Sequence, residues 1–202
     1  MNPEVLTEAK LKAAGIGAFF RPRDLRPLEV TFAELQHLVA IGVVEKVARG
    51  RYRLTQIEPS EFETIAMVCS AIPRGIICLL SALRVHEIGT QSPHDVWVAL
   101  DRKARKPVRL PAQVRIVRFS GPMLRYGILT REILGVPVRL TSPARTVVDC
   151  FRYRSKLGID IALEALRDAV RSHKATTEEI VRAAEVCRAS GVLRPYLEGL
   201  EA

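Results

Sequence analysis

Few of the side chains that can do chemistry stand at spacings that would build a catalytic or metal site. The histidines form neither an HExxH motif nor a cluster with cysteines at ligand spacing: His37, His86, His94 and His173. No G-x-S-x-G motif is present, so we do not expect Ser81, near His86, to act as a nucleophile. No glycine-rich phosphate loop follows a predicted strand. We therefore predict a protein that is not an enzyme, with no catalytic residue, no metal and no cofactor.

Acidic residues are sparse in the most basic part of the chain. A metal-dependent nuclease holds its metal with converging carboxylates, whereas residues 101–156 contain only Asp101, Glu132 and Asp149 as acids. Arg145 and Asp149 are four residues apart on one predicted helix, and we interpret them as a structural pair that holds this helix on a sheet. A nuclease-related protein with residual catalysis stays open as an alternative.

The stretch Val43–Leu54 predicts a short β-hairpin with one apolar and one basic face. Two β-rich runs flank a connection that contains a glycine, which is a hairpin signal. Because side chains alternate along a strand, Tyr52 and Leu54 share one face, while Arg51 and Arg53 share the other. Such a ribbon can pack on a helical core while it touches a polyanion. Its basic side chains are Lys46, Arg49 at the tip, Arg51 and Arg53.

A helix that opens at Thr31 precedes this hairpin, and Gly42 ends it. Glu34 stands three residues after Thr31, the spacing of a capping box. The residues expected to face inwards are Leu35, Leu38, Val39 and Ile41. The residues expected to face outwards are Ala33, Gln36, His37 and Ala40.

Two further helices are predicted before Thr31. The first is capped by Asn2 and Pro3 and runs to about Ala14, with Gly15 as its stop and Val5, Leu6, Ala9 and Ala13 as its apolar stripe. The second covers Pro22–Arg26 and ends at Pro27. Three short helices followed by a basic hairpin predict a winged helix-turn-helix domain over residues 1–56, with its third helix in the major groove of DNA.

Side chains of that helix and of the hairpin are the predicted DNA contacts. Gln36 can pair with both hydrogen-bonding groups of adenine, and His37 can reach a base or a phosphate. The hairpin cations would bind phosphates or the minor groove. The predicted set is Thr31, Ala33, Gln36, His37, Lys46, Arg49, Arg51 and Arg53. An ordinary solvated surface and a winged helix that binds protein are the alternatives.

Positive charge is concentrated outside this module. The net charge is +9 with a pI of about 9.8, which favours an acidic partner. Residues 101–156 alone carry +11, and residues 1–56 carry only +3. A loop after Asp101 carries the cations Arg102, Lys103, Arg105, Lys106 and Arg109. It is interpreted as a solvated loop, a second nucleic-acid contact or a docking surface for an acidic protein.

Residues 57–202 predict an α+β domain with a small, mostly antiparallel sheet and C-terminal helices. After the linker Gln56–Pro59, Ser60 is expected to open a helix with Glu63 as capping-box partner. Another helix is expected over Ser81–Ile88. Strands are predicted over Val96–Leu100, Val114–Phe119, Gly127–Leu134 and Val136–Thr141. Helices are predicted over Ala144–Lys156, Ile159–Ser172 and from Thr176 to Ala189 with Gly191 as stop, and a short one after Pro195.

The composition is that of a globular protein, with 48% hydrophobic residues. No apolar run approaches ~18 residues, and no signal peptide is recognised, so we expect no membrane association and a cytoplasmic location. None of the cysteines stands in a CxxC pair, and all lie among apolar neighbours. We therefore expect reduced core thiols at Cys69, Cys78, Cys150 and Cys187.

Several segments resemble the AbiEi-type antitoxin family of bacteria. The segment Leu140–Asp149 contains TSPARTVVD, and Leu80–Ile88 is similar to the family's "SAL…H" helix. The N-terminal runs Gly17–Phe20, Leu35–Val39 and Gly50–Leu54 resemble its winged helix. The resemblance implies an N-terminal DNA-binding module and a C-terminal antitoxin domain, in a protein that represses its own operon and counters a nucleotidyltransferase-like toxin in abortive phage infection. Relatives with a Vsr-like endonuclease domain also exist, but the residues after Asp149 predict helices only.

Together these patterns favour a DNA-binding transcriptional regulator and antitoxin of a bacterial toxin–antitoxin system. Its predicted partners are a double-stranded DNA operator and a nucleotidyltransferase-like toxin protein. A stand-alone regulator or phage-defence component without a toxin is the main alternative. The oligomeric state stays open.

Overall fold

The computed structural model describes residues 6–58, 60–108 and 110–198. The chain divides into two compact units. The first comprises the described part of residues 1–73 together with 107–112 and 131–138, and the second comprises the described part of residues 74–106, 113–130 and 139–202. The predicted division after residue 56 differs from this one, because the helix that follows residue 56 counts with the first unit.

The described residues of the first unit form three α-helices and a small antiparallel sheet. The helices are α1 (Glu8–Ala13), α2 (Phe32–Ala40) and α3 (Glu63–Ala71), and the strands are β1 (Phe19–Phe20), β2 (Val44–Ala48) and β3 (Arg51–Leu54). The strand order is β1-β3-β2, and both pairings are antiparallel. Between β1 and α2, the predicted second helix is a 3-10 helix over Pro22–Leu28, with Pro27 inside it rather than after it.

The start of α1 corrects the sequence prediction. Thr7 is its N-cap, and its hydroxyl accepts a hydrogen bond from the N–H of Lys10 at 3.3 Å. The predicted caps Asn2 and Pro3, and Val5 of the predicted stripe, lie outside the described residues. Leu6 and Leu11 are buried, whereas Ala9 and Ala13 are exposed. The predicted stop is confirmed, since Gly15 has a φ of +68°.

The capping box of α2 is present as predicted. The N–H of Thr31 donates to Glu34 Oε2 at 2.8 Å, and the N–H of Glu34 donates to Thr31 Oγ1 at 3.2 Å. Leu35 and Leu38 are buried, and the hairpin β2–β3 follows. Ile41 was expected inside but is 46% exposed, because α2 ends at Ala40 and the chain then turns through Gly42.

The start of α3 also differs from the prediction. Phe62 is the N-cap, and Ser60 lies before the helix, where its hydroxyl accepts from the N–H of Phe62 at 3.2 Å. Glu63 does not reach back to Ser60, because its carboxylate forms an ion pair with Arg53 at 2.7 Å. An ion pair between distant segments has replaced the local capping box.

The second unit is built around a five-stranded sheet. Its strands are β4 (Ile76–Ile77), β5 (Val96–Asp101), β6 (Val114–Phe119), β7 (Ile128–Ile133) and β8 (Val136–Thr141), in the order β6-β5-β4-β8-β7. The far end of the β7–β8 hairpin counts with the first unit. Its helices are α4 (Leu79–His86), α5 (Pro143–Arg152), α6 (Arg154–Leu157), α7 (Ile159–Arg171), α8 (Thr177–Val186) and α9 (Ser190–Glu198).

The α+β class is confirmed, but this sheet is mixed rather than mostly antiparallel. Strand β5 pairs in parallel with β6, and β4 pairs in parallel with β8, whereas β4 and β5 are antiparallel. Parallel neighbours need a connection of about a dozen residues or more, and residues 102–113 between β5 and β6 provide one.

Helices α5, α7 and α8 pack with α4 and the sheet around the core of the second unit. The predicted long helix from Ala144 is interrupted at Tyr153, which separates α5 from α6. Helix α9 begins at Ser190 and contains both Gly191 and Pro195, so the predicted stop and the predicted start were wrong. The expected core thiols are confirmed as free and buried at Cys69, Cys78, Cys150 and Cys187. Over the described ranges, no helix has the length and apolar character needed to cross a membrane.

Candidate nucleic-acid interface

Helix α2 presents an uncharged face to solvent. Ala33, Gln36, His37 and Ala40 are exposed as predicted, and so is Phe32 at 61%. Residues four apart lie above one another on a helix, so these side chains form one stripe opposite the buried Leu35 and Leu38. Thr31 is exposed and Glu34 is partly exposed, but the two are engaged with each other, and the hydrogen bonds from Thr31 lower the pKa of Glu34. The cap leaves the outer stripe free for contacts.

A hydrogen bond joins this face to the β-hairpin. The Gln36 Nε2 group donates to the Tyr52 hydroxyl at 3.4 Å. The Tyr52 ring is buried and stacks on Phe20, with centroids 6.4 Å apart. Lys46 pairs with Tyr52 across β2 and β3, so both side chains project from the same face of the hairpin. The exposed Gln36 of α2 is thus linked, through the hydroxyl of the buried Tyr52, to the hairpin that carries the exposed Lys46.

Two of the four predicted hairpin cations are not on this surface. Arg53 donates to Glu63 Oε1 at 2.7 Å and to the carbonyl of Ile57 at 2.6 Å, and its side chain is only 11% exposed. Arg51 donates to Ser70 Oγ at 3.1 Å and is half-buried. Burial, together with the nearby Arg21, lowers the pKa of Arg51. The expected alternation of faces is present, but α3 covers the basic face, which leaves Lys46 and Arg49 as the exposed cations of the hairpin.

The loop after β5 holds the second group of predicted contacts. Within the described ranges, none of the four side chains Arg102, Lys103, Arg105 and Lys106 forms an ion pair or hydrogen bond, and all four are exposed. Arg109 lies outside the described residues. The backbone of the loop is held by Asp101, which accepts from the N–H of Lys103 at 2.8 Å. Arg118 donates to the carbonyls of Asp101 and Ala104 at 2.9 and 2.7 Å. Arg118 is thus a support for the loop.

A cleft beside this loop adds two cations that sequence reasoning missed. It has a volume of about 530 Å³ and is lined by Arg74, Lys103 and Arg139 around the apolar Ile76 and Leu100. Arg139 donates to the carbonyl of Arg74 at 3.4 Å. No spacing in the sequence links these residues, because the pairing of β4 with β8 brings them together.

Phe32 and Tyr52 were also absent from the predicted contacts. Phe32 had a usable signal, since it stands four residues before Gln36 on the same helical face. The Tyr52 hydroxyl had none, because the sequence assigns its ring to the core and does not show which polar group lies at its edge.

The residues considered for catalysis have structural partners. Ser81 Oγ accepts from the N–H of Trp97 at 2.9 Å, and His86 Nε2 lies 2.7 Å from the carbonyl oxygen of Thr141. Arg145 and Asp149 are both fully buried, with Nε and Oδ1 3.0 Å apart, which agrees with their predicted structural role. Among the described residues, no group of three or more histidine, cysteine or acidic side chains is placed to hold a metal ion.

Comparison with known proteins gives a likeness of fold. No known family matches the sequence, and no curated protein matches it. The chain is similar to the crystal structure of the RV2827C protein from Mycobacterium tuberculosis, with a TM-score of 0.63 and 15% sequence identity. The match covers 94% of this chain and 75% of that one.

Proposed function

We propose that this protein binds double-stranded DNA as a transcriptional regulator, with α2 in the major groove and the β2–β3 hairpin as the wing. The observation that carries the proposal is the surface formed by the outer stripe of α2, the Gln36–Tyr52 hydrogen bond and Lys46. A helix of this kind inserts its exposed side chains between the phosphate backbones, where a neighbouring wing contacts the sugar–phosphate chain. A cytoplasmic location belongs to this proposal, since operator DNA is there in a bacterium.

The exposed loop cations Arg102, Lys103, Arg105 and Lys106 are proposed as further phosphate contacts. They form no ion pair with an acidic side chain in the described part of the chain, so they are available to contact a polyanion. Each lysine or arginine that neutralises a phosphate releases counterions, which makes binding weaken as salt rises.

We also propose that the protein acts as an antitoxin, and this second proposal rests on the resemblance to the AbiEi-type family alone. The side chains of the TSPARTVVD segment are used inside the fold: Ser142 caps α5, and Thr146 Oγ1 donates to the carbonyl of Ser142 at 2.8 Å. Arg145 and Asp149 form the buried pair. These contacts give the side chains of the segment structural roles. An antitoxin and a stand-alone regulator would share these roles, and experiment distinguishes the two.

DNA binding is tested by fluorescence anisotropy with a labelled duplex from upstream of the protein's own gene, against a scrambled duplex. The double variant K46Q/R49Q should bind with a salt slope smaller by about 2, because each phosphate contact contributes about 0.9. The control K12Q removes one exposed lysine of α1 and should bind like the wild type. Failure of the wild type to bind any duplex at about 50 mM salt would reject the proposal.

The antitoxin role is tested in cells. If a neighbouring gene encodes a nucleotidyltransferase-like protein, its expression alone should stop growth, and co-expression of this chain should restore it. Repression of a reporter fused to the upstream region, without any rescue of growth, would assign the chain as a stand-alone regulator.

A further inference from the structure

We infer that α2 reads an A·T-containing site, with Phe32 against the 5-methyl group of a thymine and Gln36 on the edge of an adenine that Tyr52 helps it to recognise. This inference rests on the proposed DNA-binding function and adds the base preference of the site. It also assigns roles to two residues outside the predicted contact set.

The position and exposure of Phe32 carry the first step. Phe32 is the first residue of α2 and is 61% exposed, although it is a large aromatic residue. Recognition helices touch base edges mainly through their N-terminal residues. The thymine methyl is the apolar group of the major groove, and phenylalanine and alanine are among its usual contacts. Phe32 and Ala33 both occupy the first turn.

The absence of cations on α2 carries the second step. Guanine is most often read by an arginine or lysine that binds its O6 and N7 atoms. Helix α2 contains neither residue type, and its only acid, Glu34, is held by Thr31. Gln36 is the one side chain on the outer stripe that matches a base through two hydrogen bonds, and its match is adenine.

The hydrogen bond to Tyr52 carries the third step. An amide has two N–H groups and one carbonyl. The Tyr52 hydroxyl takes one N–H of Gln36, which leaves one N–H for adenine N7 and the carbonyl for the adenine amino group. Tyr52 is fixed by its buried, stacked ring, so it restricts the rotation of the amide. Tyr52 is a positioning residue.

The test begins with selection of binding sites from a random duplex library by the full chain. The selected site should contain adjacent thymine and adenine at its most constrained positions. Two base analogues then remove single groups: deoxyuridine lacks the thymine methyl, and 7-deaza-deoxyadenosine lacks N7. Each should weaken wild-type binding, by about threefold for the methyl and about tenfold for N7.

Matched variants assign each loss to a side chain. For F32A, replacement of the thymine by deoxyuridine should cause no further loss of binding affinity. For Q36A, replacement of the adenine by 7-deaza-deoxyadenosine should cause no further loss. The control I41A removes an exposed apolar side chain at the other end of α2 and should keep both losses. In Y52F, the ring stays buried, so thermal unfolding should be unchanged, while the loss on 7-deaza-deoxyadenosine should shrink.

The outcomes separate this inference from the proposed function. Salt-dependent binding with no selected sequence, or with a G·C-rich one, overturns the base preference and leaves DNA binding intact. An equal deoxyuridine effect in F32A and the wild type overturns the role of Phe32. An unaltered analogue effect in Y52F overturns the role of Tyr52. Absence of binding to all duplexes overturns both proposals.

Discussion

Arg145 and Asp149 form an ion pair that is closed off from water. The guanidinium also donates to the carbonyls of Tyr126 and Met123 at 2.9 and 3.4 Å, and it lies 5.0 Å from the centroid of the Phe119 ring. These contacts offset part of the cost of burying a charge. Asp149 is less well compensated, because its Oδ2 atom is buried without a hydrogen bond. Burial raises the pKa of Asp149 to about 6, although Arg145 opposes the shift.

The raised pKa predicts a pH dependence with a definite sign. The pKa of Asp149 is higher in the folded protein than the usual 3.8, so the folded state holds the proton more tightly. Its contribution to stability is therefore greatest below about pH 4 and falls as the pH rises to about 6. Relative to D149N, the wild type should lose on the order of 2–3 kcal/mol of unfolding free energy across this range.

Urea denaturation at a series of pH values measures this difference. D160N, which removes an exposed carboxylate, is the control and should follow the wild type. Parallel curves for the wild type and D149N would contradict the assignment.

Removal of the arginine should be more damaging than removal of the whole pair. R145M leaves Asp149 buried without its cation and should cost roughly 3–5 kcal/mol of unfolding free energy. The double variant R145M/D149L replaces both charges with apolar side chains and should recover much of that loss. Denaturant unfolding of the two variants checks the order, and equal stability would argue against the pair as the source.

Helix α3 covers the face of the β2–β3 hairpin that was predicted to be basic, so the cations of that face make structural contacts. Arg53→Gln should lower the free energy of unfolding by about 1–3 kcal/mol, because it breaks partly buried charged hydrogen bonds to Glu63 and Ile57. Under folding conditions it should leave DNA affinity nearly unchanged. Arg49→Gln, at the exposed tip, should show the reverse pattern. Loss of affinity without loss of stability in R53Q would restore the original interpretation of this arginine.

A close approach of two glycines fixes the far end of the β7–β8 hairpin within the first unit. A Cβ atom on Gly17 would lie 2.7 Å from the carbonyl carbon of Gly135, and the N–H of Ala18 donates to the carbonyl of Leu134 at 2.8 Å. Gly17→Ala should therefore destabilise the protein by about 1–3 kcal/mol. The control Gly191→Ala lies in α9 with open space around it and should be neutral or slightly stabilising. Thermal unfolding compares the two.

Elements with local signals were predictable, and those set by distant contacts were not. The capping box at Thr31 and the bounds of β6 and β8 were correct, because caps and strand alternation depend on neighbouring residues. The start of α3 was wrong because Glu63 is bonded to Arg53 on another element. The parallel pairings of β4 with β8 and of β5 with β6 were missed, because the pattern of residues along a strand does not show the direction in which it pairs.

The candidate interface follows the same division. Sequence reasoning correctly expected that Gln36 and His37 would be exposed, since helical periodicity decides which face is apolar. It could not tell that α3 would cover Arg51 and Arg53, because the alternation of a strand shows two faces but not what packs on each. Phe32 was overlooked because an aromatic residue is first assigned to a core.

Positive charge is unevenly distributed over the whole molecule, so the salt dependence of DNA binding should depend on which cations are removed. Replacement of Arg102, Lys103, Arg105 and Lys106 with glutamine should reduce the slope of log affinity against log salt by up to about 3.6. A control with the same change in net charge, R167Q/R171Q/R182Q/R188Q in and after the C-terminal helices α7 and α8, should change the slope much less. An equal effect of both variants in an anisotropy salt series would show that total charge alone matters.

The first unit is assembled from segments that are far apart in the sequence, and this determines when it can be completed during synthesis. Its N-terminal helices and hairpin are made first, but residues 107–112 and 131–138 belong to the same unit. Ribosomes add ~5–20 residues per second, so the Gly17–Gly135 contact can form only seconds after the β2–β3 hairpin has left the exit tunnel. Until then, the residues around Gly17 that will contact Gly135 are open to solvent and to chaperones. A nascent chain arrested before residue 131 should be more sensitive to protease in its N-terminal region than one arrested beyond the exit of residue 138.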